Sequence, residues 1–454
     1  MKEEWAACPL SSISKEAVSA SLFCVACFYF GQRWSGVCFL LLNVLALTSS
    51  PMPYGGNFTD GAGYRTWVLL GRIAKDANVN ILSLYEDMYG TLAAGQPEGD
   101  GLRVIPTRCN RRAISRHIDD FRPDVVYVQS WPLWIFLPRT DAISIVDFIG
   151  PSLVESIYLH KFPAKIAARL KTNVFSSTDL VLCANERLKY YLMGFLFSRG
   201  VYKALDSIQV IPQAPPAEPP SKGADFQRFK SEGQWVVLVA GWFNPWYDYE
   251  TIFKAVNEMR DLSLQIVFMG DNPTTAKVDV KRRIIDLANK YNLGDRITIT
   301  GLVAFKDRCN YYLQADVGLN MARSDWEDEL SSRARIMEYL WAGLPVITSG
   351  QDYLSRLAIE NNEASYFAPQ DYVRLSQLIR RILSEKPKVV SRAKNRSNVL
   401  EILDLDRYVP QLMKSLNQLT KVEHGSSLLC ELAYYAFVLR HSRWPRRLSL
   451  AGPS

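Results

Sequence analysis

The sequence has little of the chemistry that metal centres and disulfide frameworks require. It contains four histidines and eight cysteines in 454 residues, and apart from one C-x-x-C none of them shows the paired spacing of metal ligands. No D-x-D motif stands at a predicted strand end. Cys24 and Cys27 form one C-x-x-C, but no strand–helix–strand pattern surrounds it, so two buried thiols are the favoured interpretation. We therefore expect a reduced, cytoplasmic chain that uses no metal and no other cofactor.

The sequence also shows no large excess of one charge and no apolar run long enough for a confident membrane span, and a signal peptide is disfavoured. Its net charge of +7 accompanies 46 acidic residues, which gives no reason to expect a nucleic-acid partner but permits an anionic small molecule or membrane surface. The apolar run 17–30 is too short for a confident membrane span, and Lys2 is followed by two glutamates instead of a basic leader. Residues 1–43 are therefore expected to be an extension, either peripheral to a membrane or unstructured.

The C-terminal segment 421–454 is apolar at first and basic at its end. The stretch 427–439 carries one charge, and four arginines with Trp444 follow over 440–447. This composition is typical of an interfacial membrane anchor, and equally of a terminal helix that packs on the protein with a solvated tail. A second basic stretch supports contact with an anionic membrane. Its basic residues are Lys161, Lys165, Arg169 and Lys171.

Short Val-, Ile- and Leu-rich runs alternate with helical patterns from residue 44 onward, which is typical of parallel sheets covered by helices on both faces. A segment dense in proline and glycine, 213–225, is typical of an interdomain linker. The sequence thus predicts an α/β protein with two Rossmann-like, doubly wound domains, 44–212 and 226–390, facing each other across a cleft. Helices over 391–420 are expected to pack back on the N-terminal domain. The predicted strands are 44–48, 79–84, 103–106, 125–129, 143–148, 180–184 and 208–211 in the first domain, and 235–240, 264–269, 296–300, 317–320 and 345–348 in the second.

The segment 326–350 carries most of the candidate chemistry. Acidic residues 327–329 occupy a predicted loop after a buried strand, and Ser331 and Ser332 are placed to cap a helix that carries Glu338. Free backbone amides at the start of such a helix, together with the positive end of its dipole, form a binding site for phosphate. The pattern therefore favours a diphosphate at this helix.

Arg333 and Arg335 add fixed positive charge with a geometry that suits phosphate oxygens. Positions two apart on a regular helix point to nearly opposite faces, so both guanidinium groups reach one diphosphate only if the first turn is irregular. Otherwise at least one of them has a structural role. Glu338 lies one turn beyond Arg335, where it can accept hydrogen bonds from ribose hydroxyls or form a salt bridge with Arg335.

The order of acidic residues, a helix with a glutamate and the sequence Ala-Gly-Leu-Pro-Val-Ile resembles the E-x7-E segment of family 4 retaining glycosyltransferases, which have the GT-B fold. The version S-x-R-x-R-x-x-E-Y-L-W-A-G-L-P is similar to a bacterial subgroup that makes surface polysaccharides. The resemblance implies that a first acid contacts the donor sugar and that Glu338 contacts the ribose. The position eight before Glu338 is Leu330, so Glu327 or Glu329 takes the first role. Glu327 is preferred because it stands where the acid of the subgroup falls.

A second match lies in the turn after the first strand of the second domain, at Gly241 and Trp242. A glycine at a strand-to-helix turn permits close approach of the backbone to a ligand. The resemblance implies that this turn faces the donor diphosphate, often with an Arg and a Lys, which are absent here. Arg333 and Arg335, with the amides at Ser332, are therefore expected to bind the phosphates.

The first domain offers two further matches. Gly55, Gly56 and Gly63 lie between the first strand and a helix, in a segment that resembles the glycine-rich first turn of GT-B enzymes, which faces the transferred sugar and the acceptor; such glycines often serve backbone geometry alone. Asp147 and Glu155 match a D-x-x-x-P-x-x-x-E segment of the subgroup. Asp147 then orients the acceptor hydroxyl or acts as base, or is simply a turn-forming residue before Gly-Pro. No histidine stands at a convincing strand end, so none is assigned to catalysis.

These features predict transfer of a sugar from a nucleotide-diphosphate donor to a glycan or lipid-linked acceptor in polysaccharide biosynthesis. The resemblance spans roughly residues 44–420 and implies retention of the anomeric configuration. Arginines and helix amides would neutralise the leaving diphosphate without a metal ion. The expected location is the cytoplasm, at the inner face of the cell membrane if the tail is an anchor. Two alternatives stay open: a nucleotide-sugar epimerase, and a catalytically silent GT-B scaffold that binds nucleotide or partner proteins.

Overall fold

The structure is a computed structural model, and most of the chain after residue 40 is described. The described residues are 41–54, 57–89, 102–159, 164–202, 205–222, 229–271, 279–323, 325–392, 397–419 and 428–442. The N-terminal extension therefore lies outside them up to residue 40, and so do Gly55 and Gly56. From Leu42 onward the chain belongs to one compact unit. None of the helices in these ranges combines the length and hydropathy that a bilayer-crossing helix needs.

The N-terminal lobe is built on seven parallel strands. They are β1 (Leu42–Thr48), β2 (Ala77–Ser83), β3 (Leu102–Pro106), β4 (Val125–Val128), β5 (Ile143–Phe148), β6 (Leu180–Cys183) and β7 (Ile208–Val210). Their order in the sheet is β3-β2-β1-β4-β5-β6-β7. Leu45 and Ala46 point to opposite faces of β1 and are both fully buried, because apolar layers cover both faces. The order reverses between β1 and β4, which places a crevice at the carboxyl ends of these strands.

Six helices follow the strands of this lobe. They are α1 (Gly61–Ile73), α2 (Tyr85–Tyr89), α3 (Arg111–Phe121), α4 (Ser152–Leu159), α5 (Ala164–Ser176) and α6 (Glu186–Phe197). Asp60, Asn110 and Asn185 precede α1, α3 and α6, and each side chain accepts a hydrogen bond from the backbone amide three residues on. Short Asx side chains therefore fix where these three helices begin.

The C-terminal lobe repeats this plan with six parallel strands. They are β8 (Trp235–Ala240), β9 (Leu264–Met269), β10 (Ile297–Gly301), β11 (Val317–Asn320), β12 (Val346–Thr348) and β13 (Ala364–Tyr366), in the order β10-β9-β8-β11-β12-β13. The helices are α7 (Tyr249–Asn257), α8 (Val280–Lys290), α9 (Arg308–Tyr312), α10 (Trp326–Leu330), α11 (Ala334–Trp341), α12 (Tyr353–Glu360) and α13 (Tyr372–Arg392). The prediction of two doubly wound α/β domains is confirmed.

The acidic residues 327–329 do not form the predicted loop. They lie in α10, where Asp325 precedes the helix and its Oδ1 accepts a hydrogen bond from the amide of Asp328 at 3.1 Å. The Asx cap and the three carboxylates near the positive end of the helix make this short turn favourable.

The last three helices are α14 (Asn398–Ile402), α15 (Val409–Gln418) and α16 (Leu428–Ser442). Val399 of α14 still packs in an apolar cluster of the C-terminal lobe, and the chain returns to the first lobe from α15 onward. In α15, Val409 and Leu412 share an apolar cluster with Val44 of β1. Nε2 of Gln209 in β7 donates a hydrogen bond to Oγ of Ser415 at 2.8 Å. The chain therefore crosses twice between the lobes.

Helix α16 packs on the N-terminal lobe. The ring of Phe437 lies 4.8 Å from that of Phe136, and Arg111 forms an ion pair with Glu431 at 2.5 Å. This is the docked terminal helix of the two interpretations given above. The basic residues from Arg443 onward lie outside the described residues.

The basic stretch around α5 is only partly a surface feature. Lys165 and Arg169 are exposed, but Lys171 is fully buried and contributes nothing to the surface charge. Its inclusion in a membrane-facing stretch was wrong, because the inward face of α5 carries it into the apolar layer beneath the sheet. Lys161 lies outside the described residues.

Candidate active site

Residues after the carboxyl ends of strands from both lobes meet each other. The amide of Phe305, beyond β10, donates a hydrogen bond to the carbonyl of Asn57, beyond β1, at 2.8 Å. Nδ2 of Asn185, beyond β6, donates to Oγ of Ser332 at 2.9 Å. The candidate residue Ser332 therefore lies at the contact between the lobes.

Glu329 also lies at this contact. Its carboxylate accepts a hydrogen bond from Nη1 of Arg187 in α6 at 3.1 Å, and it pairs with Arg356 in its own lobe at 3.0 Å. The same Nη1 of Arg187 donates to the carbonyl of Gln351 at 2.7 Å. Glu329 thus joins the lobes through a shared ion-pair network.

Glu327 is held in a buried ion pair with Arg333. Its side chain is inaccessible to solvent, and Nη1 of Arg333 donates to Oε1 at 3.0 Å while Nη2 contacts Oε2. Oγ of Ser331 donates to the same Oε1 at 2.9 Å. Burial raises the pKa of the adjacent Asp328 above its ordinary value, against the opposing effect of Arg333. Because of its ion pair with Glu327, the positive charge of Arg333 is neutralised within the protein.

The first turn of α11 is irregular, as binding by two arginines would require. Arg333 is the residue before the helix, with extended backbone (φ −85°, ψ 95°), and its amide donates to Oδ1 of Asp352 at 2.9 Å. The prediction that Ser331 and Ser332 cap this helix was wrong, because their hydroxyl groups bond Glu327 and Asn185 instead.

Both guanidinium groups consequently lie against one aromatic ring. The guanidinium carbons of Arg333 and Arg335 are 5.1 and 4.5 Å from the centre of the Tyr247 ring. Nη2 of Arg335 also donates a hydrogen bond to Oη of Tyr247 at 3.0 Å. Unlike Arg333, Arg335 forms no ion pair with any of the described residues. A buried guanidinium group that forms no ion pair is suited to bind an anion.

The backbone of Gly241 approaches Arg335 closely. Gly241 has φ +103°, and a Cβ atom there would stand 3.1 Å from Nη2 of Arg335. A Cβ at the neighbouring Gly270 would stand 2.1 Å from the carbonyl oxygen of Gly241. Gly241 is therefore favoured by its positive φ, and Gly270 is required by the lack of space for a Cβ atom. The indole N–H of Trp242, beside Gly241, is buried and has no hydrogen-bond partner among the described residues.

Glu338 lies on the same helix one turn beyond Arg335, but the two do not pair. Oη of Tyr312 donates to Oε2 of Glu338 at 2.9 Å, and Nε of Arg308 lies 3.5 Å from Oε1. Burial raises the pKa of Glu338, while Arg308 and the Tyr312 hydroxyl act against that shift. The expected alternative, a salt bridge to Arg335, is therefore not formed. About one sixth of the side chain, 16%, is accessible to solvent.

Of the three glycines predicted to face the transferred sugar and the acceptor, only Gly63 is described. Its amide donates to Oδ1 of Asp60 at 2.7 Å in the first turn of α1, and a Cβ there would stand 2.4 Å from the carbonyl oxygen of Pro51. The absence of a side chain thus lets the loop after β1 pack on the helix start. Gly63 serves backbone geometry in this arrangement.

Asp147 lies inside β5 instead of in a turn. Nε and Nη2 of Arg65 donate to its two carboxylate oxygens at 2.7 and 3.0 Å, and Oη of Tyr127 donates at 2.6 Å. Asp147 and Arg65 are both buried. The turn-forming interpretation was wrong, and the carboxylate is fully engaged in a core ion pair. Glu155, in α4, lies against the backbone of Gly150, where a Cβ would stand 3.1 Å from its Oε1.

Sequence reasoning missed the residues that hold the predicted ones. In the C-terminal lobe these are Tyr247, in the turn between β8 and α7, and Arg308 and Tyr312, in α9. The N-terminal lobe contributes Asn185 and Arg187, at the start of α6. No motif in the sequence linked Tyr247 to Arg335, or Arg308 and Tyr312 to Glu338, because these residues are far apart along the chain. Among the described residues, no group of three or more His, Cys, Asp or Glu side chains is arranged to hold a metal ion.

Comparison with known proteins gives a family-model match to part of the chain and a fold shared by solved structures. Residues 221–399 match the family model Glycosyl transferases group 1. This range includes Gly241, Arg335 and Glu338. No curated protein matches the chain significantly.

Several solved structures match this chain across both lobes. Sucrose-phosphate synthase from Thermosynechococcus elongatus is 18% identical, with a TM-score of 0.67 over 83% of this chain and 98% of that chain. HepE from Anabaena, in complex with UDP and glucose, is 13% identical, with a TM-score of 0.59 over 83% of this chain and 100% of that chain. WaaG, a glycosyltransferase involved in lipopolysaccharide biosynthesis, is 14% identical, with a TM-score of 0.54 over 84% of this chain and 100% of that chain. The chain has the GT-B fold.

Proposed function

We propose that this protein transfers a sugar from a nucleotide-diphosphate donor to a glycan or lipid-linked acceptor, with retention of configuration, in polysaccharide assembly. The observation that carries the proposal is Arg335, a buried guanidinium group without a carboxylate partner beside the close-approach turn at Gly241. The match of this lobe to group 1 glycosyl transferases supports it. Similarity of fold to HepE, which was solved with UDP and glucose, and to WaaG supports the donor class and the pathway.

The proposed donor lies along the first two turns of α11. Its diphosphate accepts hydrogen bonds from Arg335 and from the buried indole N–H of Trp242, and it approaches the backbone at Gly241. Its ribose hydroxyls donate to the accessible part of Glu338, which Tyr312 and Arg308 hold in place. Residues three apart on a helix share a face, so Arg335 and Glu338 can bind neighbouring parts of one nucleotide.

The leaving diphosphate is stabilised in this proposal by Arg335 and by the start of α11, without a metal ion. Glu327 acts through Arg333, which it holds on the face of Tyr247, and Glu329 and Ser332 act through the contact between the lobes. Because both oxygens of Asp147 are occupied by Arg65, we assign Asp147 to the stability of the N-terminal lobe and not to proton transfer.

Release of nucleoside diphosphate from a set of nucleotide sugars tests the function. UDP-glucose, UDP-N-acetylglucosamine, GDP-mannose and ADP-glucose are incubated with purified protein. At least one should be hydrolysed to sugar and nucleoside diphosphate, with water in place of the acceptor. Arg335→Met should lower the rate by about 100-fold or more, because one preorganised charge on a developing anion is worth that much. Arg282→Met is the matched control, since this arginine lies on the exposed side of α8.

The alternatives give different outcomes in the same assay. A silent scaffold releases no diphosphate from any donor although it binds one. An epimerase converts the sugar while the nucleotide stays attached. Either result would replace the transferase proposal.

We also propose that the protein works in the cytoplasm, at the inner face of an anionic membrane. Helices α5 and α16 contact each other. Ile166 of α5 and Leu432 and Tyr435 of α16 are 57–59% exposed, and Lys165 and Arg169 of α5 are exposed as well. Apolar side chains beside basic ones suit an anionic bilayer surface. Flotation with phosphatidylglycerol vesicles tests this. The double variant Ile166→Ser, Tyr435→Ser should float less than the wild type, and equal flotation would refute the contact.

A further inference from the structure

Tyr247 is a buried tyrosine whose hydroxyl group accepts hydrogen bonds within the protein but donates none to a described residue. Its Oη accepts from Nη2 of Arg335 at 3.0 Å, and Nδ2 of Asn244 donates to it at 3.4 Å. A phenol oxygen can accept and its proton can be donated at the same time. Tyr247 is 3% accessible, and a buried donor without an acceptor is unfavourable. The hydroxyl proton is therefore available to a ligand that binds beside Arg335.

The phenol ring of Tyr247 is fixed on several sides. It makes edge contacts with the rings of Trp246 and Tyr249, at 6.2 and 6.1 Å between ring centres. Another part of the ring lies against the guanidinium groups of Arg333 and Arg335. The hydroxyl group is therefore held in place before a ligand arrives, as strong binding of an anion requires.

The contacts of Tyr247 place its hydroxyl group on the diphosphate side of the candidate site. Nη2 of Arg335 is the nitrogen that donates to the phenol oxygen, and a Cβ atom at Gly241 would stand 3.1 Å from the same nitrogen. The phenol oxygen and the close-approach turn therefore flank one N–H group. Tyr247 contacts Arg333 and Arg335 at the start of α11, and Glu338 lies one turn further along that helix. With the ribose at Glu338, the distal phosphate lies toward Tyr247.

The turn that carries Tyr247, residues 241–248, supplies no positive charge of its own. Asp248 is its single charged residue. The carboxylate of Asp248 accepts from Oγ1 of Thr251 at 2.6 Å and from the amide of Gln370 at 3.3 Å, so it does not pair with Arg335. A hydroxyl group that accepts from a cation becomes a stronger donor, because hydrogen bonds in a chain polarise one another. Tyr247 can therefore extend the effect of the Arg335 charge to a further phosphate oxygen.

We propose that the hydroxyl group of Tyr247 donates a hydrogen bond to the distal phosphate of the nucleoside diphosphate, while its ring and oxygen hold Arg335 against the same diphosphate. This assignment rests on the proposed transferase function. It makes Tyr247 a binding residue for the leaving group. It also gives the site a means of distinguishing a diphosphate from a monophosphate, which has no distal phosphate.

Calorimetric titration of Tyr247→Phe tests the assignment, because phenylalanine keeps the ring against both guanidinium groups and removes only the hydroxyl group. UDP, GDP and ADP are titrated, and the matching monophosphate is measured by competition against the bound diphosphate. Tyr247→Phe should bind the diphosphate about tenfold or more weakly than the wild type, since this is the value of a hydrogen bond to a charged group. Its affinity for the monophosphate should be nearly that of the wild type.

Tyr291→Phe is the matched control. It also removes one tyrosine hydroxyl group from the C-terminal lobe, but that group donates to Oε1 of Glu250 at 2.9 Å and has no contact with Arg335. Melting temperatures of the three proteins without nucleotide check that each variant is folded. Both affinities of Tyr291→Phe should equal those of the wild type.

The outcomes separate this assignment from the proposed function. Equal diphosphate affinity in Tyr247→Phe and the wild type overturns the assignment and leaves the donor site standing. An equal loss for diphosphate and monophosphate also overturns it, because the hydroxyl group would then act only by supporting Arg335. The same loss in Tyr291→Phe would do so as well. If no nucleoside diphosphate binds the wild type, the proposed function itself is wrong.

Discussion

Lys171 makes the stability of the N-terminal lobe depend on pH in an unusual direction. Its side chain is fully buried in α5, and Nζ has no hydrogen-bond partner among the described residues. Nζ lies 4.2 Å from the ring centre of Phe148, 4.7 Å from Tyr191 and 4.6 Å from Phe195. Burial lowers the pKa of Lys171 from 10.5 to about 7. The folded state therefore disfavours the charged amine that the unfolded chain retains.

The sign and size of the effect follow from this pKa difference. Between about pH 7 and 10.5 the unfolded chain binds more protons at this residue than the folded protein, so stability rises with pH across that window. Below pH 7 both states are protonated and the full penalty applies. At about 1.4 kcal/mol per pKa unit the penalty reaches at most about 5 kcal/mol, and the ring faces offset part of it by cation–π attraction. Lys171→Met keeps the packing volume and removes the charge.

Urea unfolding at a series of pH values measures this. Lys171→Met should unfold at higher urea than the wild type at pH 6.5, and the difference should shrink steadily toward pH 10. Lys165→Met, an exposed position on the same helix, controls for loss of one positive charge. Parallel pH profiles for the wild type and Lys171→Met, or a variant that is less stable at every pH, would refute the reasoning.

Three further substitutions probe the site and its support. Gly241→Ala places a Cβ 3.1 Å from Nη2 of Arg335 at φ +103°, so it should cost about 1–3 kcal/mol and weaken nucleotide binding in a thermal-shift titration. Asp147→Asn removes the charge that balances buried Arg65 and should destabilise by about 3–5 kcal/mol in urea unfolding; unchanged midpoints would contradict the core ion pair. Burial raises the pKa of Asp328 from 3.8 to about 7. Between these two pH values the folded state binds more protons at this residue than the unfolded chain, so stability falls as the pH rises. Asp328→Asn should therefore raise the urea midpoint at pH 8 and change it less at pH 5.

The sheets could be predicted from the sequence because burial on both faces leaves a continuous apolar run. The predicted bounds of β5, β8, β9 and β11 are those of the structure. Strand β13, Ala364–Tyr366, was missed because its three residues lie at the sheet edge and are not buried. The acidic turn α10 was missed because its stability comes from a cap and a dipole instead of an apolar face.

The candidate site could be predicted only from residues that are close in sequence. The segment with Arg335 and Glu338 could be located, since the helix and its polar residues are close in sequence. The partners could not, because Tyr247 is 88 residues from Arg335 and Asn185 is 147 residues from Ser332. Leu330 shows the same limit. The resemblance implies an acid at this position, and the side chain of Leu330 packs on the other lobe instead.

The most direct test of the account is calorimetric titration of wild-type protein, Arg335→Met and Arg282→Met with UDP, GDP and ADP. At least one nucleoside diphosphate should bind the wild type and Arg282→Met equally, and Arg335→Met should weaken that binding by about 1.5–3 kcal/mol, the value of a charged hydrogen bond. The same affinity in all three proteins, or no binding to the wild type, would contradict a diphosphate site at Arg335.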